Sequence, residues 1–417
     1  MERLLINGGR ELCGDVTVQG AKNSILPILA ATILSGSESV IHNCPHLSDV
    51  EAACDILRYL GCSACWQGEN TLAVDTAGMN RCDIPEDLMR SMRSSVIFLG
   101  AILSRCGEAV ISYPGGCELG PRPIDLHLRA LKKLGVEIKE EKGFLSCRCE
   151  KMRGEEVVFT IPSVGATENA ILAACGAAGT TVILNAAREP EIVDLQAFLT
   201  AMGADVRGAG SSTVVVEGCG TLYPCSHRVI SDRIVAATYL CACAGCGGNV
   251  LLKNCDYRHV SSVTHLLEEA GCRVRSDEHT VQLVSNGRLT GVRSVHTAPY
   301  PGFPTDAQAV LMAALLKSRG ATVFVENIFK NRYRHVDELS RMGADISVAG
   351  KVAVVYGTEK LFAAPVRATD LRGGAALAVA ALQAEGESEI SQLQHIDRGY
   401  EDLLRDLRAM GAEVRRE

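Results

Sequence analysis

Cys117 stands in a stretch rich in glycine and proline, Tyr113-Pro-Gly-Gly-Cys-Glu-Leu-Gly-Pro-Arg-Pro-Ile-Asp125. A thiol with a pKa near ~8.5 is mostly protonated at neutral pH and can donate a proton, while a nearby cation such as Arg122 lowers that value. Glycine and proline make the stretch a candidate lid, and a buried structural cysteine is the alternative reading of the thiol. A second set of chemical groups sits where small-residue apolar segments begin: Lys22-Asn23, Arg93, Asp232-Arg233, Asp306, and Asp370 with Arg372; Ser163-Val-Gly165 holds the equivalent place in one copy. Helix starts offer free N–H groups and a positive dipole end, which suit phosphate and carboxylate. Asp306 and Asp370 also read as helix caps. Lys22, Arg93 and Arg372 oppose the dipole unless an anion is present, so the set as a whole points to anionic ligands. A third set, Arg122, Arg188-Glu189-Pro190-Glu191, Arg332, Arg334 and Arg398, follows β-type segments and would line the same site.

These groups are carried by an internal repeat. A leucine-spaced helix end followed by glycine occurs six times, with glycines at 61, 135, 203, 271, 343 and 411, spaced by 74, 68, 68, 72 and 68 residues. Glycine there fits a left-handed helix C-cap. Upstream of each lies an apolar helix, predicted at 23–34, 94–103, 167–175, 234–243, 306–316 and 371–382, and β-type runs such as Thr180-Thr-Val-Ile-Leu184 follow. One unit reads strand–helix–strand–helix–strand–strand. Roughly 70 residues make a poor core alone, so several units must pack together. The sixth copy lacks a final strand, which the first ~20 residues would supply, placing the termini close together. The predicted division is 22–229, holding three units and the cysteine loop at about 112–125, and 1–21 plus 230–417, holding the other three, with the site in the cleft between them.

Bulk properties agree with a soluble small-molecule enzyme. The chain has 417 residues, 47% hydrophobic and 22% charged, with a net charge of −7 and no basic stripe of the kind that nucleic acid requires. The start, Met-Glu-Arg-Leu-Leu-Ile-Asn-Gly-Gly, is no secretion signal, and the apolar run 234–246 is shorter than the ~20 residues of a membrane span. No membrane or nucleic-acid partner and a cytoplasmic location are therefore expected. The eighteen cysteines read as reduced core thiols. Cys62/Cys65 and Cys241/Cys243/Cys246 have metal-like spacings, yet on a helix Cys241 and Cys243 diverge by about 200°, so no metal is expected.

The motifs together resemble the UDP-N-acetylglucosamine 1-carboxyvinyltransferases, enolpyruvyl transferases related to EPSP synthase, over essentially the full length. They are Gly20-Ala-Lys-Asn23, Met92-Arg93-Ser, Pro114-Gly-Gly-Cys through His127, Ser163-Val-Gly-Ala-Thr167, Asn185-Ala-Ala-Arg-Glu-Pro-Glu-Ile-Val-Asp194, Phe303-Pro-Thr-Asp306, Asn331-Arg332 and His395-Ile-Asp-Arg-Gly-Tyr400. The resemblance implies a two-domain inside-out α/β barrel of six βαβαββ repeats. It implies transfer of enolpyruvyl from phosphoenolpyruvate to the 3′-hydroxyl of UDP-N-acetylglucosamine, the committed step of bacterial peptidoglycan synthesis, without a cofactor. Cys117 would be the general acid toward C3 of phosphoenolpyruvate and the target of fosfomycin, and Asp306 the acceptor of the hydroxyl proton. Lys22, Arg122 and Arg398 would hold the phosphate, with Arg332 and Arg372 near the carboxylate and the loop. Asn23, Arg93, Pro123, Ile124, Asp125, Leu126, His127, Ser163, Val164, Gly165 and Ile328 would contact the sugar nucleotide, and Asp232, Arg233, Glu189, Glu191 and Asp370 would organise the cleft.

Two positions depart from the family pattern: Ile161, where some members carry lysine, and Phe329-Lys-Asn-Arg332 in place of Phe-Glu-Asn-Arg. The alternatives are transfer to another acceptor, which the cysteine loop and Ser163-Val-Gly165 oppose, and a silent paralogue that only binds UDP-sugar, which joint retention of Cys117, Asp306, Lys22 and Arg398 opposes.

Overall fold

Six helices are apolar around nearly their whole circumference, and a helix without a polar face has to be buried. The computed structural model, which describes residues 2–92, 94–113 and 124–417, buries all six. We label them α1 (Lys22–Thr32), α2 (Phe98–Cys106), α3 (Val164–Cys175), α4 (Arg233–Cys246), α5 (Thr305–Ala314) and α6 (Leu371–Gln383). The first three pack against one another, and so do the last three. Alanine, glycine and cysteine let them approach closely, which is why few aromatic residues suffice. The second helix departs from its predicted start at 94. A short helix Glu86–Ser91 ends in extended backbone at Met92, and a 3-10 turn Ser95–Ile97 leads into α2.

Around these helices lie six four-stranded sheets, each with one parallel and two antiparallel pairings. Their strands bury alternate residues, as in Thr213–Glu217, where Val214 and Val216 are fully buried. The repeat glycines 61, 135, 203, 271, 343 and 411 all adopt the left-handed conformation, with φ from 86° to 107°. The six-fold α/β repeat is thus present as expected.

The described chain forms two compact units, residues 2–19 with 231–417 and the described residues of 20–230, each with its own hydrophobic core. Arg3–Asn7 completes the sixth sheet, antiparallel to both Glu387–Ser391 and Glu413–Arg416. The next strand does something the repeat pattern does not predict. Leu12–Thr17 runs parallel to Gly248–Lys253 in the fourth sheet, and its counterpart Ser226–Arg228 runs parallel to Glu38–His42 in the first. The leading strands of repeats one and four are therefore exchanged. No disulfide occurs among the described residues, and none of their helices is long and apolar enough to cross a membrane.

Candidate active site

In the unit of residues 2–19 and 231–417, the start of α5 is organised by charge. Pro304 precedes the helix and provides no side-chain cap, so Asp306 is not used as one. Its Oδ1 instead accepts from Arg332 Nη2 at 3.0 Å, and its Oδ2 from Arg372 Nε and Nη2 at 3.2 and 3.1 Å. Arg332 also forks onto the Thr305 carbonyl at 3.2 and 2.9 Å. Both guanidiniums are buried, whereas the Asp306 side chain is 30% exposed. Burial disfavours charge on Arg372, but Asp306 and then Tyr400 and Asp232 outweigh it and raise its pKa.

Asp370 does act as a cap. Its Oδ1 accepts from the Arg372 and Gly373 N–H groups, both at 3.1 Å, and so fixes the backbone that carries Arg372. Asp232 caps α4 in the same way, through Ile234 N at 2.9 Å and Val235 N at 3.0 Å. Arg233 lies over the Tyr300 ring, 5.7 Å from its centroid. The chain just after Arg398 is tied down by Gln19, which donates to the Gly399 carbonyl at 3.2 Å and accepts from Glu401 N at 2.8 Å. The Tyr400 hydroxyl meets Thr238 Oγ1 at 2.7 Å.

Glu326 is a residue that the sequence reading missed. Its buried carboxylate accepts from Thr297 and Thr305 hydroxyls at 3.0 and 2.9 Å and from Ile328 and Phe329 N–H groups at 2.7 and 3.0 Å. It thereby joins the turn bearing Ile328 to the helix start bearing Asp306. Repeat alignment gives no signal for a single buried acid of this kind.

In the unit of residues 20–230, Lys22 opens α1, and its Nζ lies 3.0 Å from Asp49 Oδ2, a second missed partner. Asn23 follows, half-buried. Ser163 caps α3 by accepting from Ala166 N at 3.4 Å, so Val164 and Gly165 form its first turn. Ile124 precedes the helix Asp125–Lys133, whose Asp125 is exposed and 3.6 Å from Arg129, while Leu126 is half-buried and His127 buried. A Cβ placed on Gly165 would lie 3.2 Å from His127 Cε1, so these two stretches abut. Glu189 and Glu191 flank Pro190 at the start of Pro190–Ala201, both buried, and Glu189 Oε2 accepts from Arg188 N at 2.9 Å. They face Glu168 of α3, also missed in the sequence. Burial first, and then the charges of Glu191 and Glu189, push the Glu168 carboxyl well above the usual range.

Arg93, Cys117, Arg122 and Pro123 lie outside the described residues. Among the described residues, no group of three or more His, Cys, Asp or Glu side chains could hold a metal ion. Cys243 and Cys246 are core thiols pushed up to about 12 by burial, and their neighbour Cys241 is raised for the same reason.

The family model for EPSP synthase (3-phosphoshikimate 1-carboxyvinyltransferase) matches residues 6–407. The chain belongs to the EPSP synthase family. It is 48% identical to UDP-N-acetylglucosamine 1-carboxyvinyltransferase 2 of Caldanaerobacter subterraneus subsp. tengcongensis, over 99% of both chains. It is 44% identical to UDP-N-acetylglucosamine 1-carboxyvinyltransferase of Dichelobacter nodosus, over 100% of this chain and 99% of the relative. These relatives place it in the UDP-N-acetylglucosamine 1-carboxyvinyltransferase branch of the EPSP synthase family. Among solved structures, the enolpyruvyl transferase NikO from Streptomyces tendae superposes with a TM-score of 0.88 at 26% identity, covering 100% of this chain and 98% of the other. EPSP synthase from Acinetobacter baumannii gives 0.75 at 18% identity, covering 100% of both, a likeness of fold. Within this EPSP synthase fold, the charged groups gather at the starts of the inner helices, the positions that repeat alignment singled out.

Proposed function

We propose that this EPSP synthase family member transfers the enolpyruvyl group of phosphoenolpyruvate to the 3′-hydroxyl of UDP-N-acetylglucosamine and releases phosphate, the committed step of peptidoglycan synthesis. The observation that carries the reading is Asp306, a partly exposed carboxylate clamped by two buried arginines at a helix start. Such a group has one face for substrate and no freedom to turn away, which suits a proton acceptor. Full-length identity of 48% to a protein named for this reaction supports the acceptor sugar.

The chemistry proceeds by addition and elimination. Protonation of C3 of the enol phosphate, by the Cys117 thiol, leaves electron deficiency at C2. The sugar 3′-oxygen bonds to C2 and its proton passes to Asp306. Loss of a C3 proton then re-forms the double bond as the C2–O bond to phosphate breaks. Lys22, Arg122 and Arg398 hold that phosphate and stabilise its departure, and Arg332 and Arg372 offset the substrate carboxylate. Asn23, Arg93, residues 123–127, 163–165 and Ile328 hold the sugar nucleotide, with Asp232, Arg233, Glu189, Glu191 and Asp370 shaping the site.

The test is phosphate release from phosphoenolpyruvate with and without UDP-N-acetylglucosamine, and with and without prior fosfomycin. Sugar-dependent release blocked by fosfomycin is the expected result. Tight binding of the sugar nucleotide without release would overturn the reaction. Cys117→Asp should keep some turnover but lose fosfomycin sensitivity; full sensitivity in that variant would remove Cys117 as the alkylated group.

A further inference from the structure

Asn169 lies midway along α3, is 1% exposed, and has been given no part in substrate binding. Its carboxamide inserts at the junction between the 3-10 turn and α2. Oδ1 accepts from Gly100 N at 2.6 Å, and Nδ2 donates to Val96 O at 3.1 Å. Those two backbone groups are four residues apart, the pair that a regular helical turn would join to each other. The same Nδ2 reaches His127 Nδ1 at 3.0 Å.

This geometry leaves one assignment. A backbone N–H only donates and a carbonyl only accepts, so the amide cannot be turned round without two facing like groups. His127 Nδ1 is therefore an acceptor without a proton. Burial pushes the His127 ring down to about 4, against a smaller opposing effect of Asp125, so it is neutral at physiological pH. The single ring proton is on Nε2. That nitrogen faces the start of α3, since a Cβ on Gly165 would lie 3.4 Å from it. Gly100 belongs to the device as well, because a Cβ there would fall 2.4 Å from Asn169 Oδ1.

We propose that Asn169 is a positioning residue that holds His127 as an Nε2–H donor toward an oxygen of the uridine diphosphate group at the Ser163-Val-Gly165 helix start. The proposal rests on the sugar-nucleotide reading above and adds which atom of His127 carries the proton and what keeps it there.

The decisive measurement is ¹⁵N NMR of the full chain labelled at histidine, with the His127 signals assigned by their loss in His127→Gln. Expected are an unprotonated Nδ1 and a protonated Nε2 between about pH 6 and 8, with the Nε2–H signal shifting on addition of UDP-N-acetylglucosamine and not with phosphoenolpyruvate alone. Asn169→Ala should raise KM for UDP-N-acetylglucosamine about tenfold, the loss of one oriented hydrogen bond, and leave KM for phosphoenolpyruvate unmoved. A proton on Nδ1, or an Nε2–H signal indifferent to the sugar nucleotide, overturns the proposal. So does an Asn169→Ala protein that melts earlier with both KM values unchanged, the pattern of a merely structural residue. The wild-type spectra decide the matter if that variant does not fold. Failure of the reaction itself would show separately, as wild-type protein that binds the sugar nucleotide, shifts the His127 signal and releases no phosphate.

Discussion

Two buried polar clusters at inner-helix starts have opposite electrostatics. Around α5 and α6, two guanidiniums are removed from water and both pair with Asp306, which outweighs burial at Arg372 and raises its pKa. Around α3, Glu168 is equally buried, but its neighbours are Glu189 and Glu191, and it is driven toward the neutral acid. His127, on the other side of the α3 start, is driven neutral by burial almost alone. Burial drives Glu168 and His127 toward their neutral forms, and only an opposite charge as close as Asp306 is to Arg372 outweighs it. One fold position, repeated through the chain, yields a charged clamp in one copy and a set of neutral donors in another. The first suits a reacting anion, the second the less reactive part of a nucleotide.

Breaking the clamp should have the largest effect. Asp306→Ala is expected to lower turnover about 1,000-fold or more, while calorimetry finds UDP-N-acetylglucosamine affinity within about tenfold of wild type. Near-normal turnover would remove Asp306 from the mechanism. Next is the support under that clamp. Glu326→Ala leaves four donors without their acceptor, and denaturant unfolding should show a loss of about 3 kcal/mol. A loss below about 1 kcal/mol would mean that the Ile328 turn holds itself.

A third test concerns the neutral cluster and is read as pH dependence. Glu168 has a folded-state pKa above its unfolded value, so the folded protein holds an extra proton between the two. Its contribution to stability is full below the unfolded value, near ~4.3, and declines as pH rises toward the folded one. Glu168→Gln carries no such proton. Urea unfolding from pH 5 to 8 should show the variant gaining on wild type by up to about 1.4 kcal/mol per pH unit. Parallel curves would place an ionised Glu168 in the folded protein and remove the contrast between the clusters.

The repeat was legible because it rests on local physics. A glycine that must take positive φ recurs six times, and each inner helix is apolar all round. The charged residues at helix starts were legible for the same reason, since they align with the glycines. The exchange of Leu12–Thr17 with Ser226–Arg228 was not. A three-residue strand carries no period of its own, and its partner is chosen by long-range pairing. The roles of Asp49, Glu168, Asn169 and Glu326 were hidden too, because a buried polar side chain is defined by what surrounds it in space. Asp306 and Asp370 show the limit most sharply. The sequence offered both as caps, and only the backbone at Pro304 and at Asp370 distinguishes the acid that caps from the one that pairs with arginine.

The placing of Arg3–Asn7 between strands near residues 390 and 415 also governs how the chain is made. A ribosome delivers the N-terminal segment first, yet Leu12–Thr17 has no neighbour until Gly248–Lys253 has emerged, and Arg3–Asn7 none until Glu387–Ser391. The strands of the three sheets formed by residues 20–230 are all present long before that point. The central portion can thus become native during synthesis, while the earliest-made strands wait unpaired through most of translation. Unpaired strands are aggregation hazards, and Arg3, Arg10, Glu11 and Asp15 distribute charge along this one. Strands made well before their partners are thus among the last to pair.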